Sequence, residues 1–244
     1  MYRTTKETIG PNSPGVKESY KPFRPYQLTE HQKNRIIENY EKFLSIQDGQ
    51  DIDDYAILDN NKWEDYLSPY QPGSKMLLVG VGSGRELLLC KDMGFDVVGI
   101  TLGSRNIDFG KDFLGLTDDE FIESTADAMP FEANIFDVVC AFQTLEHMIS
   151  PSLFLVEQNR VLKLGGSIVL EWPPPKIFTG GGHGHHQICL LPGQVKALLE
   201  KNGFGYVELF YRTLENIPES EYWSDTQVRG KSKMLCARAT KLGE

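Results

Sequence analysis

Apolar residues in this chain fall into two alternating rhythms, short strand-length runs and segments repeating at helical spacing. The clearest pair lies at residues 75–102. Met76-Leu77-Leu78-Val79 is a bounded apolar run, suited to a strand buried on both faces. Gly80, Gly82 and Gly84 follow on alternate residues in GVGSG. Arg85-Glu86-Leu87-Leu88-Leu89 then opens a helix whose free N–H groups and positive dipole end face that loop. After Gly94 a second apolar strand is predicted over 95–100. The pattern continues with a polar helix at 104–114, a third strand at 121–126 and a fourth at 136–142. A helix at 151–164 opens on Pro151 and is stopped by Gly165-Gly166. A fifth strand is predicted at 167–172, a helix at 192–202, and strands at 206–211 and 233–240. Strands alternating with helices imply an α/β fold with a doubly wound, mainly parallel, seven-stranded sheet.

The first 73 residues read differently. Residues 1–27 carry Pro11, Pro14, Pro22 and Pro25 among small and polar residues. They read either as a flexible tail or as an extended arm that brings Tyr20, Phe23 and Tyr26 over the site. Thr29-x-x-Gln32 is a capping box. After it, Ile36, Ile37, Tyr40, Phe43 and Leu44 mark one helical face. Trp63, Tyr66 and Leu67 suggest a short second helix. The predicted organisation is an arm over 1–27, a helical cap over 28–73 and a nucleotide-binding domain over 74–244.

Composition narrows the function classes. A net charge of −9 disfavours nucleic acid and anionic membranes as partners. The longest apolar runs are far short of a membrane span, and the N-terminus lacks the apolar core of a signal peptide. Cys90, Cys140, Cys189 and Cys236 are widely spaced without a C-x-x-C pair. Free thiols and a reducing, cytoplasmic setting are expected.

The glycine loop leaves the nucleotide open. A dinucleotide fingerprint requires G-x-G-x-x-G, and the third position here is Arg85. No Gly-Lys-Ser/Thr follows, which excludes a P-loop. Four features lie in register: VGVGSG after the first strand, DAMPF after the third, FDVVCAFQTLEH through the fourth, and the helix ending LKLGG before the fifth. With a weaker fifth part, the histidine loop followed by LLPGQVKALLEKNGF, these make the chain resemble the class I S-adenosylmethionine-dependent methyltransferases, among them the small-molecule enzymes of ubiquinone biosynthesis.

The resemblance implies S-adenosylmethionine as cofactor and a small-molecule acceptor. It places Gly80, Val81, Gly82 and Gly84 against the cofactor, with Thr101 and Leu102 at the end of the second strand. Asp127 would accept from the adenine amino group, while Ala128 and Met129 would lend a backbone N–H and an apolar wall. Phe142 and Gln143 would border the methionine end. One position departs from the pattern: Thr101 stands where the family usually has an acid gripping both ribose hydroxyls. A hydroxyl cannot act as a carboxylate acceptor, so a catalytically silent, cofactor-binding partner subunit is the alternative. Asp108 is a possible substitute acid.

Methyl transfer needs positioning and, for some acceptors, a base. His147 is one candidate, with a structural histidine as its other reading. The run GGGHGHHQIC contributes His183, His185 and His186, of which His186 best matches the family's histidine before a helix. H-x-H-H-x-x-C with Cys189 also invites a zinc reading. Adjacent histidines on a glycine loop converge poorly on one ion, so no metal is expected. WPPP at 172–175 reads as a rigid wall.

Overall fold

The computed structural model describes residues 4–8, 66–173, 186–215 and 231–243. Its strands are β1 (Thr4–Thr8), β2 (Lys75–Val79), β3 (Asp96–Thr101), β4 (Phe121–Glu123), β5 (Phe136–Phe142), β6 (Leu162–Trp172), β7 (Phe204–Glu215) and β8 (Lys231–Lys241). They form one sheet in the order β1-β7-β8-β6-β5-β2-β3-β4. β4, β3, β2, β5 and β6 are mutually parallel, and β8 runs antiparallel between β6 and β7. The helices are α1 (Arg85–Asp92), α2 (Ser104–Leu114), α3 (Pro151–Val161) and α4 (Pro192–Lys201). From β2 the chain moves outward through β3 and β4, then returns to β5 on the other side. That reversal is the switch point where open α/β sheets bind ligands, beyond the carboxyl ends of the strands.

The period of two along each strand divides the core. Leu77, Val79, Val139, Ala141, Ile168 and Leu170 face one side, packed with Phe154 and Leu155 of α3 and Val195 and Leu199 of α4. Met76, Leu78, Val138, Cys140 and Val169 face the other, with Leu87 and Cys90 of α1 and Ile107 of α2. Met76 through Val79 are at most 1% exposed, as a strand covered on both faces requires. Each such side chain contributes about 1.5–3 kcal/mol of transfer free energy. In a dinucleotide fold the third fingerprint glycine lets the helix approach the sheet. Here Gly99 of β3 does so, because a Cβ there would lie 2.5 Å from Leu87 Cδ1.

Several boundaries differ from prediction. α3 ends at Val161 and β6 begins at once, because Leu162 is already extended (φ −71°, ψ 141°) and pairs with Phe136. Gly165-Gly166 therefore lies inside a strand rather than stopping a helix. β4 ends at Glu123, and the Ala126 carbonyl goes to a side chain of α3 instead of a ladder. β7 and β8 are longer than the strands predicted at 206–211 and 233–240 and stay paired out to Glu215–Lys231. At the other edge of β7, Thr4–Thr8 adds an eighth, antiparallel strand.

The predicted helix after Thr29, the aromatic residues 20, 23 and 26, Trp63, and residues 174–185 lie outside the described residues. Tyr66 and Leu67 are described; they are helical and essentially fully buried. Among the described residues no helix is long and apolar enough to cross a membrane, and all four cysteines are free thiols.

Candidate active site

Because β2, β3, β4 and β5 are parallel, the segments leaving their carboxyl ends share one edge of the sheet. The loop after β2 is tied to β3: the Gly80 and Val81 N–H groups both donate to the Ile100 carbonyl, at 2.9 and 3.2 Å. Gly80 and Gly82 both have positive φ, for different reasons. A Cβ on Gly80 would lie 2.4 Å from Thr144 Oγ1, so the protein itself demands glycine there. The Thr144 hydroxyl lies 3.0 Å from the Val79 carbonyl and 3.1 Å from that of Phe142, which clamps the ends of β2 and β5 together. Among the described residues, a Cβ on Gly82 would meet nothing within 4 Å, which suits a loop facing a ligand. Gly84 follows as the residue before α1.

Thr101 closes β3, is 5% exposed, and has Glu123 of β4 as its register partner. Glu123 Oε1 accepts from the Gly103 N–H at 3.2 Å, so a carboxylate does stand at the end of β3, one strand over. Asp108 is exposed on α2, and Leu102 is half-buried.

Asp127 and Ala128 are accessible at the turn after β4, while Met129 is buried. This turn is pinned from α3. Gln158 Nε2 donates to the Ala126 carbonyl at 2.7 Å, and the Met129 N–H donates to Glu157 Oε1 at 2.7 Å. Arg160 donates to the carbonyls of Phe131 and Met129, and to Glu157. Met129 thus offers a ligand its side chain, its N–H being committed to Glu157. Burial alone would raise the Glu157 carboxyl, but Arg160 and the Met129 N–H outweigh it and hold the group below the usual range. The sequence signal for this support is the polar run Glu157-Gln158-Asn159-Arg160 after the largely apolar first half of the helix.

At the end of β5 the Phe142 ring stacks on Tyr66, with centroids 4.8 Å apart. Gln143 has φ 52°, and its side-chain amide donates to Glu171 Oε1 at 3.2 Å. The Tyr66 hydroxyl donates to the other oxygen of Glu171, which is 1% exposed.

Leu145–His147 forms a single 3-10 turn. The Glu146 carbonyl accepts from the N–H groups of Gln187 and Ile188, at 2.8 and 3.2 Å, which brings His186 to the turn. The rings of His147 and His186 are 4.9 Å apart, nearly edge to face. His147 Nε2 is 4.0 Å from Glu146 Oε1. The Glu146 side chain is 3% exposed, and neither carboxylate oxygen has a hydrogen-bond partner. Burial pushes its carboxyl up to about 8; its own backbone N–H opposes this and nearby Glu171 reinforces it. His183 and His185 lie outside the described residues. Cys189 is exposed.

The sheet order, with antiparallel β8 set between β6 and β7, and the glycine loop at the switch point have the layout of the class I methyltransferase fold. Residues 77–170 match the family described as Methyltransferase domain. It is similar to 2-methyl-6-phytyl-1,4-hydroquinone methyltransferase of Synechocystis sp., 35% identical over 112 residues, covering 43% of this chain and 34% of that protein. It is also similar to the ubiquinone biosynthesis O-methyltransferase of Roseobacter denitrificans, 35% identical over 97 residues, covering 38% and 39% of the two chains. This chain thus spans little more than a third of the length of these relatives. A crystal structure of an S-adenosylmethionine-dependent methyltransferase from Archaeoglobus fulgidus superposes with a TM-score of 0.59 at 19% identity, over 83% of this chain and 99% of that one. At that identity the likeness is one of fold.

Proposed function

We propose that the protein is an S-adenosylmethionine-dependent methyltransferase acting on an O or N atom of a small-molecule acceptor. The observation that supports this reading is that Gly82, with no described atom near its face, leaves β2 on the same sheet edge to which the parallel register brings the segments carrying Asp127, Ala128 and Phe142. Bound there, S-adenosylmethionine would supply an electrophilic methyl group on a sulfonium. Gly80, Val81, Gly82 and Gly84 would carry its amino-acid and ribose portions on a loop without large side chains. Thr101 and Leu102 would border the ribose. Asp127 would accept from the adenine amino group, with Ala128 and Met129 beside the ring. Phe142 and Gln143 would bound the methionine end. His147 and His186 would face the acceptor and handle its proton. The name of one relative gives a hydroquinone, so a hydroxylated ring is the first acceptor class to test.

A silent, cofactor-binding partner subunit is the second reading, and buried Thr101 in place of an acid favours it. Calorimetric titration with S-adenosylhomocysteine separates these ideas. Binding followed by methyl transfer to quinols, sugars or amines supports an enzyme. Binding with no turnover on such a panel supports the silent subunit, and no binding refutes both.

A further inference from the structure

Three groups with the chemistry of metal ligands meet where β5 leaves the sheet. Glu146, His147 and His186 each offer one donor atom, and all three atoms lie within 4.8 Å of one another. The second observation is independent of that clustering. Glu146 is 97% buried, points at this cluster with Oε1 4.0 Å from His147 Nε2, and has no hydrogen-bond partner on either oxygen. A buried carboxylate without partners is costly; such groups in folded proteins are paired, hydrogen-bonded or bound to a metal. Protonation would remove the charge but leave a buried O–H and C=O unmet, so the cost would remain.

We propose that Glu146, His147 and His186 bind one divalent transition-metal cation on the acceptor side of the site. Two imidazoles and one carboxylate are a donor set suited to zinc, iron, cobalt and related ions. Metal–ligand bonds of about 2.0–2.2 Å put neighbouring donors roughly 3–3.5 Å apart. The present separations therefore close by small side-chain rotations. The Glu146 carbonyl already fastens the backbone just beyond His186 to the turn, so the third ligand does not depend on Cys189 or on the rest of the histidine run. The cluster draws His186 from the run H-x-H-H-x-x-C and its other two donors from the turn after β5.

Three protein donors leave positions open in the coordination sphere. A divalent cation there would polarise and orient a bound oxygen and lower its pKa. It would take over the role that His147 and His186 would otherwise serve as bases, since a coordinated imidazole has no free lone pair. The acceptor class that fits is one with two neighbouring oxygen atoms, such as adjacent hydroxyls on a ring. That last point rests on the methyltransferase reading; the cation site does not.

The test uses the full chain, stripped with a chelator, and cobalt(II) and zinc(II) as probes. Calorimetry and the visible spectrum of bound cobalt should show one equivalent. Loss of an outer-shell partner of a metal costs about 10- to 100-fold in affinity, and loss of a ligand should cost at least that. Glu146→Gln, His147→Ala and His186→Ala should each weaken cobalt binding by about 100-fold or more while S-adenosylhomocysteine affinity stays within about twofold of the parent. Cys189→Ala should bind cobalt as the parent does. The proposal is overturned if the parent binds no cobalt or zinc stoichiometrically, if Glu146→Gln binds as tightly as the parent, or if Cys189→Ala loses the metal. If His186→Ala fails to fold, His186→Gln serves in its place, and unchanged cobalt binding by it overturns the assignment of that ligand. Metal and S-adenosylhomocysteine titrations are separate readouts, so failure of one leaves the other standing.

Discussion

Replacing Gly80 by alanine presses a methyl group against Thr144. The added Cβ would sit 2.4 Å from Oγ1 and 2.9 Å from Cγ2, at a φ of +74°. Left-handed backbone costs a non-glycine residue about 1–2 kcal/mol. Relieving the clash also turns the hydroxyl away from the Val79 and Phe142 carbonyls. Leaving a buried polar group unmet costs about 1–3 kcal/mol. The single substitution should therefore destabilise by about 2–5 kcal/mol. Thr144→Ala alone forfeits the same hydrogen bonding, about 1–3 kcal/mol. In the double variant both close atoms are gone, the nearest remaining contact is Cβ at 3.2 Å, and the hydrogen bonding is lost only once. Its cost should fall short of the sum of the singles by about 1–3 kcal/mol. Urea unfolding gives the four free energies directly. If the singles add to within about 0.5 kcal/mol, Thr144 is not what makes Gly80 obligatory.

A Cβ at Gly82 meets no atom of the described residues within 4 Å, so the folding cost of Gly82→Val should be chiefly the left-handed strain of about 1–2 kcal/mol. S-adenosylhomocysteine binding should nevertheless be lost; unchanged affinity would move the cofactor away from this loop. Tyr66→Phe removes the hydroxyl that donates to buried Glu171 and should destabilise by about 1–3 kcal/mol. A thermal shift equal to that of a neutral surface substitution would contradict it. Glu157 is held below its ordinary pKa of 4.5, so its contribution is present above that value and lost as pH falls through the lower, folded value. Stability measured on the acid side should therefore fall less steeply in Glu157→Gln than in the parent, and superimposable acid limbs would rule this out.

Much of the fold was legible because local pattern and tertiary environment agree. Met76 to Val79 read as a doubly covered strand and are buried on both faces. Pro151 opens α3 with Ser150 as its side-chain cap, accepting from the Leu153 N–H. The Gly165-Gly166 pair misled because glycine stops a helix or kinks a strand with equal ease, and only pairing with β5 decides. Site support was less legible because its contacts are remote in sequence. Tyr66 reaches Glu171 across 105 residues, and Glu157 reaches Met129 across 28. Nothing local in Glu123 marks it as the carboxylate set beside Thr101; that follows from the register of β3 with β4.

Glu146 does two separable things. Its backbone carbonyl receives the N–H groups of Gln187 and Ile188 and so decides where His186 sits. Its carboxylate, buried and without hydrogen-bond partners, stands among the imidazoles that this docking brings together. A glutamine keeps the carbonyl and nearly the same volume, so it should leave the loop docked while removing the negative charge. Loss of metal affinity in Glu146→Gln can therefore be assigned to the carboxylate rather than to a displaced loop. An alanine would not separate the two, since it opens a cavity in the turn that also positions His147.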